Sequence, residues 1–216
     1  MTANTLPMRQ QDNWQNQLRN VISTAQELLD LLELAPQDTG FCADASSDFS
    51  LKVPMAFVRK MRAGDPQDPL LLQVLARGEE LLQTPGFSSD PVGEVGAAIP
   101  ARGVIHKYKG RVLLLVTSGC AIHCRYCFRR HFPYAANQNS RREWGEALDY
   151  IRRNSGISEV IFSGGDPLLA NDDYLDELVT QVAAVDHVRR LRIHTRLPVV
   201  IPDRITGDLL NAITRQ

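Results

Sequence analysis

The sequence has no long apolar run, no apolar leader and almost no excess of either charge. Its 216 residues include 24 Lys and Arg against 25 Asp and Glu, a formal net charge of -1. So balanced a chain has no overall field that attracts nucleic acid or an anionic membrane. No apolar run approaches the roughly 20 residues that span a bilayer, and the stretch MTANTLPMRQQDNW lacks the cationic and apolar regions of a secretory signal. We therefore expect a cytoplasmic protein whose partners are neither nucleic acid nor membrane.

Cysteine is also scarce, and it is unevenly placed. Of the four cysteines, Cys120, Cys124 and Cys127 fall within eight residues directly after an apolar run. In a reducing cytoplasm such a group indicates metal or redox chemistry ahead of disulfide bonds. We interpret the remaining one, Cys42, as an inert thiol.

The N-terminal part of the chain is predicted to be helical. Residues 12–34 place apolar side chains on one helical face, and Thr24 with Glu27 forms a capping box that opens a second segment. A further short helix is predicted to start at Pro54 and to stop near Gly64.

A domain boundary is predicted in a stretch rich in Gly and Pro, residues 84–103, which has the composition of an extended connection. We assign residues 1–100 to an N-terminal helical region with this connection. Residues 101–216 form the main domain.

Strands and helices alternate from residue 104 onward, which predicts an α/β fold with right-handed parallel crossovers. The strands are predicted at 104–108, 111–117, 159–167 and 188–196, and the second and third are apolar enough to be buried. The helices share an apolar stripe; they are predicted from the capping box of Ser140 and Glu143, from about Asp172, and within 203–213, with 197–202 as a loop.

The parallel strands bring distant motifs to one edge of the sheet. The cysteine loop follows one strand, SGGDP ends the next, and HTR ends the third. Because parallel strands finish at the same rim, where open α/β folds and barrels hold their active sites, we expect these three strand ends to lie side by side.

Three thiolates in one short loop suit a [4Fe-4S] cluster whose fourth iron stays open to another ligand. A structural zinc site is the main alternative, because His123 or His131 could complete a tetrahedron of three Cys and one His. A disulfide with a spare thiol is disfavoured by the odd number and by the compartment. The glycine pair on the adjacent strand favours the cluster, since a zinc ribbon does not require it.

The CxxxCxxC arrangement after a buried strand, with a GGD motif one strand later, resembles the radical S-adenosylmethionine (SAM) enzymes. The resemblance implies a [4Fe-4S] cluster on Cys120, Cys124 and Cys127, with SAM on the open iron. It also implies a SAM contact at the GGD strand end, formed by Gly164, Gly165 and Asp166. Glycine suits that position because it lets backbone approach a ligand without a Cβ.

A narrower resemblance covers essentially the whole chain. HKYKGRVLLLVTSGCAIHCRYCFRRHF, IFSGGDPL and LRIHTRLPVVIPDRIT resemble the lysine 2,3-aminomutase family, and CRYCFRRHFPYAANQ with PGFSSDPVGE is most similar to its branch that makes (R)-β-lysine for elongation factor P. This implies an isomerase that converts L-lysine to (R)-β-lysine with a SAM-derived radical and pyridoxal phosphate (PLP). It also implies a flavodoxin or ferredoxin as electron donor and a functional link to an elongation factor P lysyl ligase.

The resemblance implies roles for two arginines. Arg111 aligns with a family arginine that contacts PLP, and Arg129 aligns with one that binds the substrate carboxylate. The planar guanidinium suits both roles. The competing interpretation makes Arg111 a cap on the Lys-Gly turn and Arg129 with Arg130 a solvated surface pair.

Other charged residues near the strand ends receive no firm role. His194 and Arg196 end the third strand and are expected to face the same cavity. Arg189, Arg190 and Arg192 precede it and are expected on a solvated face.

The chain stops at Gln216, where the resemblance implies that family members continue. We therefore expect a partial (βα) barrel of radical SAM type, truncated after about three barrel strands, with the PLP-binding lysine and the carboxylates for the substrate ammonium lying beyond this point. The alternatives are another radical SAM enzyme, such as a catabolic lysine 2,3-aminomutase, or a non-catalytic zinc protein.

Overall fold

The computed structural model describes residues 13–137 and 144–214. The chain divides into two compact units. We call the first the helical unit; it contains the residues up to Phe87 together with Ala121–Cys127 and Val199–Asp203. We call the second the sheet unit; it contains Ser88–Cys120, Phe128–Pro198 and the residues from Arg204 onward. The predicted boundary near residue 100 stays a prediction.

The helical unit is built from short elements. They are α1 (Trp14–Arg19), β1 (Val21–Ile22), α2 (Ala25–Leu31), α3 (Pro36–Thr39), α4 (Ala43–Asp48), β2 (Val53–Pro54) and α5 (Met55–Val58), followed by 3₁₀ turns at Leu71–Gln73 and Gly78–Leu81.

The predicted helix over residues 12–34 is interrupted. Val21 and Ile22 form a strand that pairs antiparallel with Val53 and Pro54 of β2, a long-range contact that overrides the helical pattern. The predicted cap at Thr24 is confirmed, because its side chain accepts a hydrogen bond from the Glu27 N–H at the start of α2.

The helix predicted from Pro54 is shorter than expected. α5 has Pro54 at its N-cap and ends at Val58, although the apolar positions Phe57, Val58 and Met61 are buried as the pattern required.

The sheet unit contains the longer elements. They are β3 (Val104–Tyr108), β4 (Arg111–Thr117), α6 (Tyr134–Asn137), α7 (Trp144–Arg153), β5 (Glu159–Gly164), α8 (Asp172–Ala183), β6 (Arg190–Ile193), α9 (Leu197–Val200) and α10 (Gly207–Thr214), with further 3₁₀ turns at Gly96–Ala98, Pro167–Leu169 and Pro202–Arg204. α9 and the last 3₁₀ turn cross the unit boundary.

Within the described residues the main sheet has the strand order β3-β4-β5-β6. β3 pairs antiparallel with β4, and β4, β5 and β6 are mutually parallel. Every residue of β5 is buried, as expected for a central parallel strand covered on both faces. The mixed α/β class is confirmed, and the strands that the sequence predicted form this sheet.

The helices α7 and α8 follow the predicted pattern. The apolar stripe of α7 is buried through Trp144, Ala147, Leu148 and Ile151. α8 begins at Asp172 as predicted, capped by the Asn171 side chain. The capping box of residues 140 and 143 lies outside the described residues.

One loop prediction is wrong. Residues 197–202 contain α9 and the start of a 3₁₀ turn. The start of α9 is stabilised by side-chain acceptors, because the Leu197 N–H donates to the Asp166 carboxylate and to Thr195 Oγ1.

No helix among the described residues is both long and apolar enough to cross a bilayer.

Candidate functional site

Three parallel strand ends form one rim in the sheet unit. We define the strand-end rim as Thr117–Cys120 after β4, Gly164–Asp166 after β5 and His194–Arg196 after β6. Thr117 pairs with Gly164, and Phe162 pairs with Ile193 immediately before the rim. The prediction that these strand ends lie side by side is confirmed.

Hydrogen bonds join the first two segments of the rim. The N–H of Gly165 donates to the carbonyl of Thr117 at 2.8 Å, and the N–H of Asp166 donates to the carbonyl of Gly119 at 2.8 Å. The Thr117 hydroxyl donates to the carbonyl of Asp166 at 2.9 Å. The backbone directly before the first cysteine is therefore fixed against the glycine motif.

The two glycines are required by this close approach. Gly164 has φ +117°, and a Cβ there would lie 2.2 Å from the Thr117 carbonyl oxygen. A Cβ on Gly165 would lie 2.0 Å from the carbonyl oxygen of Gly119. Because both obstacles are backbone atoms, no side chain can move aside to admit a larger residue. The sequence explained the glycines by a ligand; the structure adds a packing reason.

Asp166 joins the second segment to the third. Asp166 is buried, with 6% of its surface exposed. One carboxylate oxygen accepts from the Leu168 N–H at 3.1 Å and from the Thr195 hydroxyl at 2.6 Å. The other accepts from the N–H groups of Arg196 at 2.7 Å and Leu197 at 3.0 Å. The side chain predicted to bind a cofactor thus has four protein donors.

The cysteine loop is held by backbone contacts inside the helical unit. The N–H of His123 donates to the Lys52 carbonyl at 2.9 Å, and the N–H of Arg125 donates to the Gln73 carbonyl at 2.7 Å. Within the loop, the N–H of Cys127 donates to the carbonyl of Cys124 at 2.9 Å. Residues 121–127 are therefore positioned by the helical region as well as by their own turn.

Side chains of the loop strengthen this attachment. Arg125 Nε donates to the carbonyl of Leu72 at 3.0 Å. His123 stacks on Phe49 with ring centroids 4.6 Å apart, and its Nδ1 lies 2.7 Å from the carbonyl oxygen of Ser50. A carbonyl can only accept, so Nδ1 carries the hydrogen. Burial lowers the pKa of His123, and the nearby Lys52 cation lowers it further, against the opposing hydrogen bond to Ser50.

The three loop cysteines and Cys42 are half-buried thiols outside any disulfide bond. Among residues 13–137 and 144–214, no group of three or more His, Cys, Asp or Glu side chains is arranged to hold one metal ion. A [4Fe-4S] cluster instead distributes its thiolates over separate iron atoms. Three reduced thiols within eight residues supply the kind and number of donors that such a cluster needs.

Arg129 lies two residues beyond the last loop cysteine and is buried. Its Nε donates to Glu94 Oε2 at 2.6 Å, and its Nη2 donates to Glu94 Oε1 at 2.9 Å. Its Nη1 donates to Ser163 Oγ at 2.8 Å and to the carbonyl of Gly164 at 3.1 Å. The interpretation of Arg129 as a solvated surface residue is wrong, because its side chain is only 8% exposed.

Arg111 lies at the opposite end of β4 from the cysteine loop. It is exposed, and its guanidinium carbon lies 4.8 Å from the centroid of the Tyr108 ring, across the turn that Gly110 closes. Six residue-to-residue steps along the strand separate it from Thr117, about 20 Å at the usual rise. This location matches the turn-capping interpretation, and contact with PLP stays a prediction.

His194 and Arg196 belong to the rim through their backbones. The N–H of His194 donates to the Phe162 carbonyl at 2.9 Å. Burial lowers the pKa of His194; the cations of Arg192 and Arg129 lower it further, and Glu159 opposes them.

The arginines before the rim have an acidic partner. Arg190 and Arg192 form ion pairs with Glu159 at 3.8 and 2.6 Å. Both arginines remain exposed, as the sequence predicted.

The sequence analysis missed Glu94, Ser163 and Tyr134. The Tyr134 hydroxyl donates to the Gly164 carbonyl at 2.7 Å, so this carbonyl accepts from both Tyr134 and Arg129. A signal for Glu94 was present, because it is the one charged residue in PVGEVGAAIPA, residues 91–101.

Comparisons with known proteins find relatives of this chain. A model of the radical SAM superfamily matches residues 114–212. The chain is 48% identical over 212 residues to the L-lysine 2,3-aminomutase of Escherichia coli K12. The matched region covers 98% of this chain and 61% of that protein. It is 49% identical over 202 residues to the Haemophilus influenzae protein of the same name (93% and 59%), and 32% identical over 205 residues to that of Clostridium subterminale (94% and 49%). The chain thus spans about three fifths of the first two relatives.

Proposed function

Because this chain belongs to the lysine 2,3-aminomutase family of the radical SAM superfamily, we propose that the whole protein isomerises L-lysine to (R)-β-lysine. The observation that carries the proposal is the attachment of the segment before Cys120 to the glycine motif. Gly165 and Asp166 each donate a backbone hydrogen bond to that segment, at 2.8 Å. The segment that leads into the loop is thereby tied to the strand end proposed to contact SAM.

Cys120, Cys124 and Cys127 would hold the [4Fe-4S] cluster, and the strand end formed by Gly164, Gly165 and Asp166 would contact SAM at the open iron. The chemistry supplied there is one-electron reductive cleavage of SAM, which provides the radical that removes a hydrogen atom from lysine. The protein's own contribution is to hold the loop backbone fixed through Lys52 and Gln73, so that thiols need little reordering to receive iron.

Arg129 is proposed to recognise the carboxylate of lysine. Its guanidinium is buried, permanently charged and oriented by four protein acceptor contacts. The Glu94 carboxylate already balances its charge, so the advantage over an exposed arginine is orientation: a guanidinium held in place loses little side-chain entropy when it binds a carboxylate.

PLP is proposed as the second cofactor, and its electron-withdrawing ring supplies the means for nitrogen migration. Of the residues predicted to contact it, only Arg111 lies in the described part of the chain, where it is exposed beside Tyr108. The remaining contacts are proposed to lie in the part of the longer protein that this chain does not cover.

The proposed cellular role rests on the resemblance of CRYCFRRHFPYAANQ and PGFSSDPVGE to the branch that makes (R)-β-lysine for elongation factor P. We propose that the β-lysine modifies elongation factor P in the cytoplasm, through a lysyl ligase, and that flavodoxin or ferredoxin supplies the electron. The parallel strands β4, β5 and β6 are proposed to be the first strands of a partial (βα) barrel, preceded by the N-terminal region of residues 1–100.

A single experiment tests the reaction. The protein as expressed from its whole gene is reconstituted without oxygen with iron and sulfide, then given SAM, PLP, a reductant and lysine. We expect 5′-deoxyadenosine and (R)-β-lysine, identified by chiral chromatography. A colourless protein that keeps stoichiometric zinc contradicts the proposal, as does a brown protein that cleaves SAM without producing β-lysine.

The cellular role has its own test. Deleting the gene should remove the β-lysyl mass from elongation factor P, and supplying (R)-β-lysine should restore it. An unchanged mass in the deletion strain contradicts that role and leaves the reaction itself unaffected.

A further inference from the structure

A buried ion pair joins the Gly-Pro-rich connection to the loop after the cysteines. Glu94 and Arg129 meet through two parallel hydrogen bonds, of 2.6 and 2.9 Å, and their side chains are 9% and 8% exposed. Both residues belong to the sheet unit. A bidentate pair of this kind fixes direction as well as distance, because the planar fork must lie in the plane of the carboxylate.

The backbone at Glu94 is held in place by Asp90. Asp90 accepts hydrogen bonds from the N–H of Glu94 at 2.9 Å and from the N–H of Val95 at 3.2 Å. Gly93, with φ +61°, makes the turn that brings Glu94 round to Asp90. Glu94 is therefore a rigid support.

The other side of the guanidinium contacts β5 where it enters the rim. Nη1 donates to Ser163 Oγ and to the Gly164 carbonyl. The edge formed by Nε and Nη2 therefore binds Glu94, while Nη1 binds the end of β5. Different atoms of the same guanidinium therefore contact Glu94 and the strand-end rim.

A substrate carboxylate is not expected to displace Glu94. Losing Arg129 would leave a buried carboxylate without its cation, and an unpaired buried charge is strongly unfavourable. The pair therefore persists during binding, and an incoming anion meets a guanidinium that is already oriented.

We propose that Glu94 is a positioning residue for lysine recognition, acting through Arg129. The inference rests on the proposed function, because it assigns Arg129 to the lysine carboxylate. Glu94 touches no reacting atom; it holds the Arg129 side chain in the orientation that receives the substrate. Without it, the long arginine side chain regains rotational freedom and the anion site is misplaced.

The test compares Glu94→Gln, Glu94→Asp and the control Glu79→Gln in the reconstituted whole protein. The Glu79 side chain is exposed and pairs with Arg77 at 3.4 Å, so the control makes the same chemical change in a carboxylate at the surface. Steady-state kinetics give separate KM values for lysine and SAM, and iron content is measured on each protein. The rise in Tm on adding lysine gives a readout that needs no turnover.

We expect Glu94→Gln to raise the KM for lysine by about ten- to a hundredfold, the effect of a small misplacement of a binding group. The KM for SAM and the iron content should not change, and lysine should stabilise the variant less than the wild type. Glu94→Asp keeps the charge but shortens the side chain, so its KM for lysine should lie between those of the wild type and Glu94→Gln. This variant provides the test if Glu94→Gln does not fold. The control should match the wild type.

Two results would overturn the inference alone. A lower KM for lysine in Glu94→Gln would show that Glu94 competes with the substrate. An unchanged KM with a lower Tm would show that the pair only supports the fold. A wild-type protein indifferent to lysine in turnover and in Tm overturns the proposed function, and this inference with it.

Discussion

Gly165 and Gly119 approach each other so closely that a methyl group on Gly165 would lie 2.0 Å from the carbonyl oxygen of Gly119. The contact joins the end of β5 to the backbone next to the first cysteine. Since both partners are main chain, the sequence at this point is determined by backbone packing as well as by chemistry.

Gly165→Ala should therefore destabilise the protein by about 3 kcal/mol or more, at the upper end of overpacking effects. The control Gly145→Ala lies in α7 with nothing within 4 Å of the added Cβ, and it should stabilise by about 0.5 kcal/mol. Urea unfolding of both variants measures this. Equal stabilities of the two variants would contradict the packing role.

Loss of any one cluster cysteine should abolish iron binding. Cys120→Ala, Cys124→Ala and Cys127→Ala should each reduce iron, sulfide and visible absorption after anaerobic reconstitution to near background, because three thiolates are needed for three irons. Cys42→Ala is the matched control, since Cys42 is also a half-buried thiol, and it should keep its iron. Iron retained in two or more of the three motif variants would exclude the proposed ligand set.

Asp166→Asn should weaken the whole strand-end rim. The amide replaces a carboxylate oxygen that accepts two hydrogen bonds, and it directs its own donor hydrogens at N–H or O–H groups. A loss of about 3 kcal/mol is expected from charged hydrogen bonds that are removed or left unmade. Asp149→Asn, at a surface pair with Arg152, should change stability by less than about 0.5 kcal/mol. Thermal unfolding of both variants checks the difference.

Acid should destabilise the folded protein in part through His194. Its pKa is lowered below 6.5 by burial first, then by Arg192 and Arg129, and Glu159 only partly opposes this. The folded state takes up this proton less readily than the unfolded chain. The contribution to stability is complete above pH 6.5 and is lost as the pH falls through that value towards the folded pKa.

His194→Gln should therefore lose less stability than the wild type between about pH 8 and about pH 5. Urea unfolding at both pH values gives the loss of unfolding free energy for each protein, and the two losses are then compared. A variant with the same or a steeper acid loss would show that His194 is no more difficult to protonate in the folded state than in the unfolded chain.

The elements that the sequence predicted well are those whose pattern is local. β5 is a short apolar run that breaks into glycines, and α8 starts where Asn171 can cap it through the N–H of Tyr174. α7 buries its predicted stripe because that stripe follows the helical period. In each case the residues that determine the structure lie within one turn or one strand.

The failures depend on partners distant in sequence. The helical pattern over residues 12–34 gives way at Val21 and Ile22, because these residues pair with β2. The helix α9 forms although Pro198, Val199 and Val200 are poor helix residues, because Asp166 and Thr195 accept the hydrogen bond of its first N–H.

In the candidate site, the strand ends were predictable from topology, and the partners of Arg129 were not. Glu94 lies 35 residues before Arg129, in a stretch whose composition indicates only a connection. Nothing local predicts that a carboxylate there is buried against a guanidinium. A lone charge in an apolar, glycine-rich stretch is a weak indication that the charged side chain is buried and paired. That indication could have been used to predict a role for Glu94.

The attachment of His123 to Lys52 and of Arg125 to Gln73 has a consequence for recombination between homologous genes. A chimaera whose crossover falls between residues 87 and 120 would combine the loop of one parent with the carbonyl groups that support it from the other. The positions around residues 49–52 and 72–73 should then be inherited as a block with residues 121–127. Libraries that keep this block from one parent should yield more iron-binding progeny than libraries that divide it.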